Sequence, residues 1–513
     1  MPTSSRTSRA LNGILMSFLQ VGLALVLQAA LSPLVLHIAG QETLGAYAIL
    51  LQVIGYLALV DFGFGVALSR YLAQASGYED NKKQFLIIFT TGRTFYAISN
   101  LVFALLILIF SFLIGSIFSF STIVESQART GLWILAGWSI LRIPFAVYGP
   151  ALTATQNMAA NNIINMGSAV VRIMMGLGML FLGFGLVGLM LGNVMAEAFN
   201  YIFQRWYYSR LYPEEKISWG IPNMKLFKEM LAFSGSYLLV IIGGRLSLNT
   251  DNLVVGALFG GAATSIYYTT QIPTIFLVAL IWKIVDNSAP AINELYGKGN
   301  AERLKSVYLR LYRYNLLCAM GLAFGLIAFN RETITLWVGS QQYAGDLMNI
   351  SLVIFVIATV ISHLNAIIMV AFGTVHFLSV VCISGGVLNL ILSVIFGKAI
   401  GLQGVMLASA IAESITMVIL QVKTLQLFKI SFLSVFYQAI KPALAGSIFS
   451  AIIVVFVFIF RSEALWISMF FWMSIFIMAW IAGTVTLGLD KEGIDRITDY
   501  IISVKYVKKL LRN

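Results

Sequence analysis

Uninterrupted apolar stretches, each long enough to cross a bilayer, recur from one end of this chain to the other. Nothing constrains its fold more. One of them reads LVFALLILIFSFLIGSIF (residues 101–118). A spanning helix needs roughly 20 mostly apolar residues. Fourteen such runs are present, centred near residues 25, 58, 101, 143, 172, 196, 243, 276, 318, 358, 386, 415, 449 and 476. Lipid offers backbone N–H and C=O groups no partner, so only helices and closed barrels can span it. A barrel would show short alternating segments, and continuous runs of this kind are not that. The expected fold class is an all-α polytopic membrane protein with 14 transmembrane helices. With 59% hydrophobic and only 11% charged residues, too little polar surface is left for a soluble domain of 513 residues.

A duplication organises these spans. Residues 185–197 read GLVGLMLGNVMAE and residues 401–413 read GLQGVMLASAIAE, with seven of thirteen positions identical at an offset of 216. At an offset of 220, GAYAILLQ (45–52) faces SIYYTTQI (265–272), Tyr47 matches Tyr267, and Gly77 matches Gly297. Duplicated hydrophobic halves mark transporters, whose substrate sites lie between the repeats. Six spans per copy is an even number, so both copies share one orientation. The expectation is two pseudo-symmetric six-helix bundles plus two extra C-terminal helices. The N-lobe takes residues 1–210 (spans 1–6) and the C-lobe 211–430 (spans 7–12). Spans 13 and 14 take 431–489, and a basic cytoplasmic tail takes 490–513. The polar stretch 205–228, with Pro213 and Pro222, reads as the linker.

Charge sets the orientation. With the N-terminus inside, the cytoplasmic loops and tails collect about 24 of the 33 basic residues, while the outside loops hold only Arg129, Arg331, Lys398 and Arg461. Both termini are therefore expected in the cytoplasm, and the tail KYVKKLLRN against anionic headgroups. This distribution explains the net charge of +12 without nucleic acid. The short tail before span 1 carries Arg6 and Arg9, and no cleavage site follows, so span 1 is expected to stay. Outside loops are short and leave no room for a catalytic domain. Cys318 and Cys382 fall inside spans and suggest neither a disulfide nor a metal site. His37, His363 and His376 are scattered and form no ligand cluster. No cofactor is expected.

Ionisable residues inside spans are functional candidates, because each costs several kcal/mol, roughly, unless paired or hydrated. The bases are Arg93, Arg142, Arg172, Arg245 and Lys283; the acids are Asp61, Glu197, Asp251, Asp286 and Glu413. Polar neighbours fall on helical faces: Asn161, Asn165, Ser168 and Arg172 on span 5; Asn193, Glu197, Asn200 and Gln204 on span 6; Arg245, Asn249 and Asn252 on span 7. Such faces look at protein or water. Inter-helix hydrogen bonding, with Arg172 pairing to Glu197, is the structural reading. The symmetric placement of Glu197 and Glu413 suits a shared packing role. The arginines differ: Arg172 aligns with Leu388, and Arg142 with no base. A cationic cavity would attract an anion, and guanidinium suits phosphate in geometry as well as charge. Trp138, Tyr148, Tyr237, Tyr267, Tyr268 and Trp282 are placed to stack on sugar rings or simply to pack. The glycines of DFGFG (61–65) and Gly183, Gly185, Gly188 and Gly192 allow close helix approach or hinging.

The segment GAYAILLQVIGYLALVDFGFGVALSRYLA (45–73) resembles the oligosaccharide flippases, the Wzx-type polysaccharide transporters of the MATE-like superfamily. So do TDNLVVGALFGGAATSIYYTTQIP (250–273) and PAINELYGKGNAERLKSVYLR (290–310). The resemblance implies two six-helix bundles and alternating access. It also implies flipping of an undecaprenyl-pyrophosphate-linked oligosaccharide from the inner to the outer leaflet of the cytoplasmic membrane, for surface polysaccharide such as O-antigen, capsule or exopolysaccharide. The partners it implies are that lipid-linked substrate, membrane lipids and polysaccharide polymerase machinery. On this reading Arg142, Arg172 and Arg245, with Arg93 and Lys283, hold the pyrophosphate or acidic sugars. Asp61, Asp251 or Asp286 takes up a coupling ion, H+ or Na+, or pairs with the bases. The alternatives are a lipid II flippase and a multidrug exporter of the same fold. Exporters of that kind usually carry an acid in span 1, and residues 11–38 have none. A membrane glycosyltransferase or polymerase would need paired acids or a large outside loop, and neither is visible, so no enzyme is expected.

Overall fold

The computed structural model describes residues 6–76, 82–155, 157–212, 221–460 and 466–489. Gly77, the prolines at 213 and the basic tail therefore lie outside the described residues. The described residues form helices and turns: α1 (Arg6–Leu57), α2 (Phe64–Ser76), α3 (Lys82–Ile117), α4 (Thr122–Leu141), α5 (Tyr148–Ala154), α6 (Met158–Phe181), α7 (Gly185–Leu211), α8 (Met224–Leu248), α9 (Asp251–Gly297), α10 (Ala301–Val338), α11 (Asp346–Ala371), α12 (Val375–Ile400), α13 (Leu402–Phe428), α14 (Phe432–Val435), α15 (Lys441–Gly446), α16 (Ile448–Phe460) and α17 (Trp466–Gly483). Among the described residues, eleven helical stretches are long and apolar enough to cross a membrane. The chain is a multi-pass membrane protein. Two of the eleven exceed any single crossing: Leu19–Asp61 runs 43 residues and Leu238–Gly297 runs 60.

Both long stretches bend at a glycine, and the duplication explains where. Gly40 in α1 has φ 84° and ψ 172°, and Gly260 in α9 has φ 81° and ψ −178°. They are 220 residues apart, the offset that pairs Tyr47 with Tyr267. A positive φ of this kind carries a steric penalty for any residue with a Cβ. The repeat is thus written in backbone conformation as well as in sequence. The chain comes close here too: a Cβ on Gly45 would overlap the carbonyl of Gly261.

Two compact units result. The first comprises Met1–Phe276, Trp337–Ala344 and Thr374–Ala412; the second comprises Leu277–Leu336, Gly345–Gly373 and Glu413–Asn513. The first unit takes in Thr374–Ala412, so residues from both copies of the repeat pack together inside it. Its apolar core gathers Leu31, Val35, Tyr47, Ile49, Phe103, Leu132 and Met190, all under 10% exposed. A second cluster there is aromatic, with Phe89, Tyr148 and Tyr208 in mutual ring contact.

Three expected spans are interrupted, each at a site of interest. The span-2 sequence leaves α1 through a 3-10 turn, Ala58–Asp61, then passes Phe62 (φ 54°) and Gly63 (φ 65°) before α2. α4 stops at Leu141, and Arg142 caps its C-terminus. α8 stops at Leu248, and Asn249 and Thr250 separate it from α9. The expected Arg245–Asn249–Asn252 face therefore runs across a helix break.

Candidate functional site

The polar faces of spans 5 and 6 meet each other. Gln204 Nε2 donates to Asn161 Oδ1 (2.9 Å), Asn200 Nδ2 to Asn165 Oδ1 (2.6 Å), and the Ser168 hydroxyl to the Ala196 carbonyl (2.8 Å). Each bond joins α6 to α7, rung by rung. Close packing makes this possible: a Cβ on Gly192 would strike the backbone of Arg172 and Gly176.

Arg172 does not continue the ladder, and Glu197 does not pair with it. Glu197 pairs instead with Arg142 (Nη1–Oε2, 2.7 Å), and the same carboxylate oxygen accepts from Trp138 Nε1 (2.9 Å). Arg142 Nε donates to Asn100 Oδ1 (2.7 Å), and its guanidinium lies 5.2 Å from the Phe103 ring centre and 5.8 Å from that of Tyr201. The physical reason is the end of α4. A cation at a helix C-terminus faces partial negative charge, and the turn after Leu141 carries Arg142 towards α7.

This cluster borders a recess. One cavity of about 360 Å³ is lined by Asp61, Tyr96, Gly149, Glu197, Asn200 and Tyr201 among others. A smaller one of about 70 Å³ shares Asp61, Tyr96 and Tyr201 and adds Asn100 and Arg142. Asp61 Oδ1 accepts from the Gly63 N–H (2.8 Å), so its carboxylate caps the turn that ends span 2.

Arg172 lies elsewhere in the first unit, half-buried, and its charge acts on the Tyr47 and Tyr268 hydroxyls. Asn193 Nδ2 donates to Tyr47 (3.0 Å), and Gln28 Nε2 donates to Tyr268 (3.0 Å). Arg245 sits in the last turn of α8, with its guanidinium where a side chain on Gly55 would go, and its carbonyl accepts from the Tyr56 hydroxyl (2.8 Å). Among the described residues, neither Arg172 nor Arg245 has a carboxylate within 4.0 Å.

Asp251 opens α9, where helix-dipole geometry favours an anion. It is 7% exposed and richly bonded. Tyr267 donates to Oδ2 (2.6 Å), the Ser409 hydroxyl lies 2.9 and 2.8 Å from the two oxygens, and Asn389 Nδ2 lies 3.3 Å from Oδ1. Arg93 is 6% exposed near Tyr148 and Arg205, beside the aromatic cluster.

In the second unit, Lys283 pairs with Asp286 (3.3 Å), which also meets His363 Nε2 (2.8 Å). The His363 ring stacks on Trp282, 4.6 Å between centres. Glu413 is buried there at 5% exposure. The Tyr237 side chain lies outside the described ones. The His363 pairing, Asn100, Tyr96 and Tyr201 escaped sequence reasoning. Ser409 was within reach of it, since the offset of 216 aligns it with Asn193.

The described residues thus form a multi-pass helical membrane protein with ionisable groups at its helix breaks. Comparison with known proteins gives the family. Residues 38–344 match the family described as "Polysaccharide biosynthesis protein", and the chain belongs to it. No curated protein matches in sequence. Among solved structures, lipid II flippase MurJ in an inward closed conformation superposes with a TM-score of 0.70 at 16% identity, covering 92% of this chain and 97% of that one. An inward-facing multidrug resistance MATE transporter of the MOP superfamily gives 0.68 at 16% identity, covering 83% and 98%. A MOP superfamily transporter from Pyrococcus furiosus, reported with a binding pocket of reverse polarity, gives 0.60 at 16% identity, covering 83% and 99%. The fold is MATE-like and MurJ-like, and these neighbours are transporters and a flippase, not enzymes.

Proposed function

We propose that the protein flips an undecaprenyl-pyrophosphate-linked oligosaccharide from the inner to the outer leaflet of the cytoplasmic membrane by alternating access, for surface polysaccharide assembly. The observation that carries this reading is the pair of part-buried guanidinium groups, Arg172 and Arg245, inside membrane-spanning stretches without a carboxylate partner among the described residues. Such a charge is costly in lipid and is normally paired or in use. A pyrophosphate supplies the missing anion, and guanidinium binds it by paired, charge-assisted hydrogen bonds. Arg142 is a weaker candidate, since Glu197 already neutralises it.

Fourteen crossings follow if the stretches Leu19–Asp61 and Leu238–Gly297 each count twice at their glycine bends and α4 adds one to the eleven. Both termini are then cytoplasmic, and the lobes are 1–210 and 211–430. Asp251 is the acid best suited to a coupling ion. The Ser409 and Tyr267 hydroxyls and the Asn389 NH2 group all donate to its oxygens, a setting in which a proton could bind the carboxylate, while a Na+ ion would need the hydroxyls to turn. The experiment is deletion of the gene, scored for loss of surface glycan with accumulation of lipid-linked units. Complementation by wild type but not by Arg172→Ala or Arg245→Ala, at equal membrane levels, is the expected result. Accumulation of lipid II instead would reassign the substrate, and full rescue by both variants would remove the anion-binding reading.

A further inference from the structure

The recess beside Arg142 has the wrong chemistry for a phosphate, and that narrows what it takes. Its titratable acids and bases are Asp61, Glu197 and Arg142, two carboxyl groups and one base. The base already meets Glu197 through Nη1 (2.7 Å) and Asn100 through Nε (2.7 Å), so its charge is largely offset before any ligand enters. A carboxylate only accepts hydrogen bonds, and so does an ionised phosphate. Asp61 and Glu197 therefore need a ligand that brings donors.

Several polar atoms await such a ligand. Among the described residues, Asp61 uses only Oδ1, on the Gly63 N–H, and Glu197 uses only Oε2. Tyr96 is 9% exposed and lines both cavities, yet its hydroxyl has no hydrogen-bond partner among the described residues. That hydroxyl is also absent from the sealed, unsatisfied polar atoms, so the cavity reaches it. Gly65 lets the chain pass close to this hydroxyl: a Cβ there would stand 3.1 Å from it and crowd it. Tyr201 adds an aromatic wall. The larger cavity, about 360 Å³, lies within the ~300–1,000 Å³ range of small-molecule sites.

We propose that this recess is a sugar-reading subsite that selects a neutral or N-acetylated sugar unit and rejects an acidic one. Sugar hydroxyls and an acetamido N–H donate to Asp61 and Glu197, and Tyr96 donates to a sugar oxygen. A uronic acid brings a third carboxylate, another acceptor, beside the carboxyl groups of Asp61 and Glu197 and is disfavoured. The proposal rests on the flippase reading and deepens it, by separating the part that reads the glycan from the arginines that hold phosphate.

The test is saturation-transfer NMR on the full-length protein in detergent. The probes are glucose, N-acetylglucosamine, N-acetylgalactosamine and glucuronate, each at millimolar concentration. Undecaprenyl pyrophosphate binding is measured separately. Saturation transfer is expected to at least one neutral or N-acetylated sugar and not to glucuronate. Asp61→Asn should cut the signal about tenfold, the scale of one charge-assisted hydrogen bond. Gly65→Ala should weaken it by crowding the Tyr96 hydroxyl, and Tyr96→Phe, which removes that hydroxyl with little change of shape, guards against misfolding of the glycine variant. Glucuronate binding as well as the neutral sugars, a neutral-sugar signal that survives Asp61→Asn and Tyr96→Phe in folded protein, or silence across the panel would each overturn the subsite. If the sugars bind but wild type fails to bind undecaprenyl pyrophosphate, the subsite stands and the flippase reading falls.

Discussion

Tyr47 and Tyr267 occupy matching places in the two copies of the repeat, and both are buried, at 2% and 0% exposure. The Tyr47 hydroxyl accepts from Asn193, and the residues aligned with that pair, Tyr267 and Ser409, both donate to the same Asp251 oxygen. Only the charge differs. Beside Tyr47 and Tyr268 stands Arg172, whose counterpart in the second copy is Leu388. Around Tyr267 stands Asp251, whose counterpart at an offset of 220 is Leu31 in the apolar core. One scaffold has thus been given a cation in one copy and an anion in the other. The anion is enclosed by three hydrogen-bonding side chains. The cation has no carboxylate within 4.0 Å among the described residues, and on the proposed function that asymmetry would separate an ion-coupling site from an anion-binding one.

The sharpest way to break this contrast is to make the first copy like the second. Arg172→Leu should reduce flipping of a lipid-linked pyrophosphate saccharide in proteoliposomes by about 100-fold or more, since a lost charge-assisted contact in a desolvated site costs ~2–5 kcal/mol. Arg172→Lys should recover part of it, because the ammonium keeps the charge and loses the bidentate fork. Next in size is Asp251→Asn, which keeps the shape and removes the charge. It should abolish the response of transport to an imposed H+ or Na+ gradient while leaving slow, gradient-independent exchange. Unchanged gradient dependence would move the coupling site away from the second copy.

Smaller effects test the pair at the edge of the recess. Arg142→Ala strips donors from Glu197 and Asn100 together and should lower Tm by several degrees. Glu197→Gln keeps an acceptor for Trp138 and should lower it less. Glu197 is 37% exposed, so solvent screens what the ion pair contributes. The smallest change expected is Asn193→Ser, which copies the second repeat at the Tyr47 hydroxyl. Transport should stay within about twofold, because one neutral hydrogen bond contributes ~1 kcal/mol or less. A large loss there would mean that the Tyr47 bond, rather than the charge of Arg172, distinguishes the two copies.

Much of this was legible in the sequence, for a physical reason. Apolar length fixes the helices, and the duplication fixes their repetition. Side chains three and four apart share a face, so Asn161, Asn165 and Ser168 were readable as one stripe and Asn200 and Gln204 as its partner. What periodicity does not say is where a helix stops inside a span. The ends at Leu141 and Leu248 decide that Arg142 reaches Glu197 and that Arg245 parts from Asn252. Nor does it say which of two arginines a glutamate will choose. The bends at Gly40 and Gly260 were present in the repeat register but look like any other glycine until their backbone angles are known. Asn100, lodged in an apolar run of span 3, was the one visible hint of the Arg142 cluster.

The most direct test of the central claim is equilibrium binding of sugar-free undecaprenyl pyrophosphate to the full-length protein in nanodiscs, wild type against Arg172→Ala. The unpaired guanidinium should account for at least a tenfold loss of affinity in the variant, with binding weakened further by added salt. Equal affinity in the two proteins would contradict the assignment of Arg172 as the phosphate-holding group.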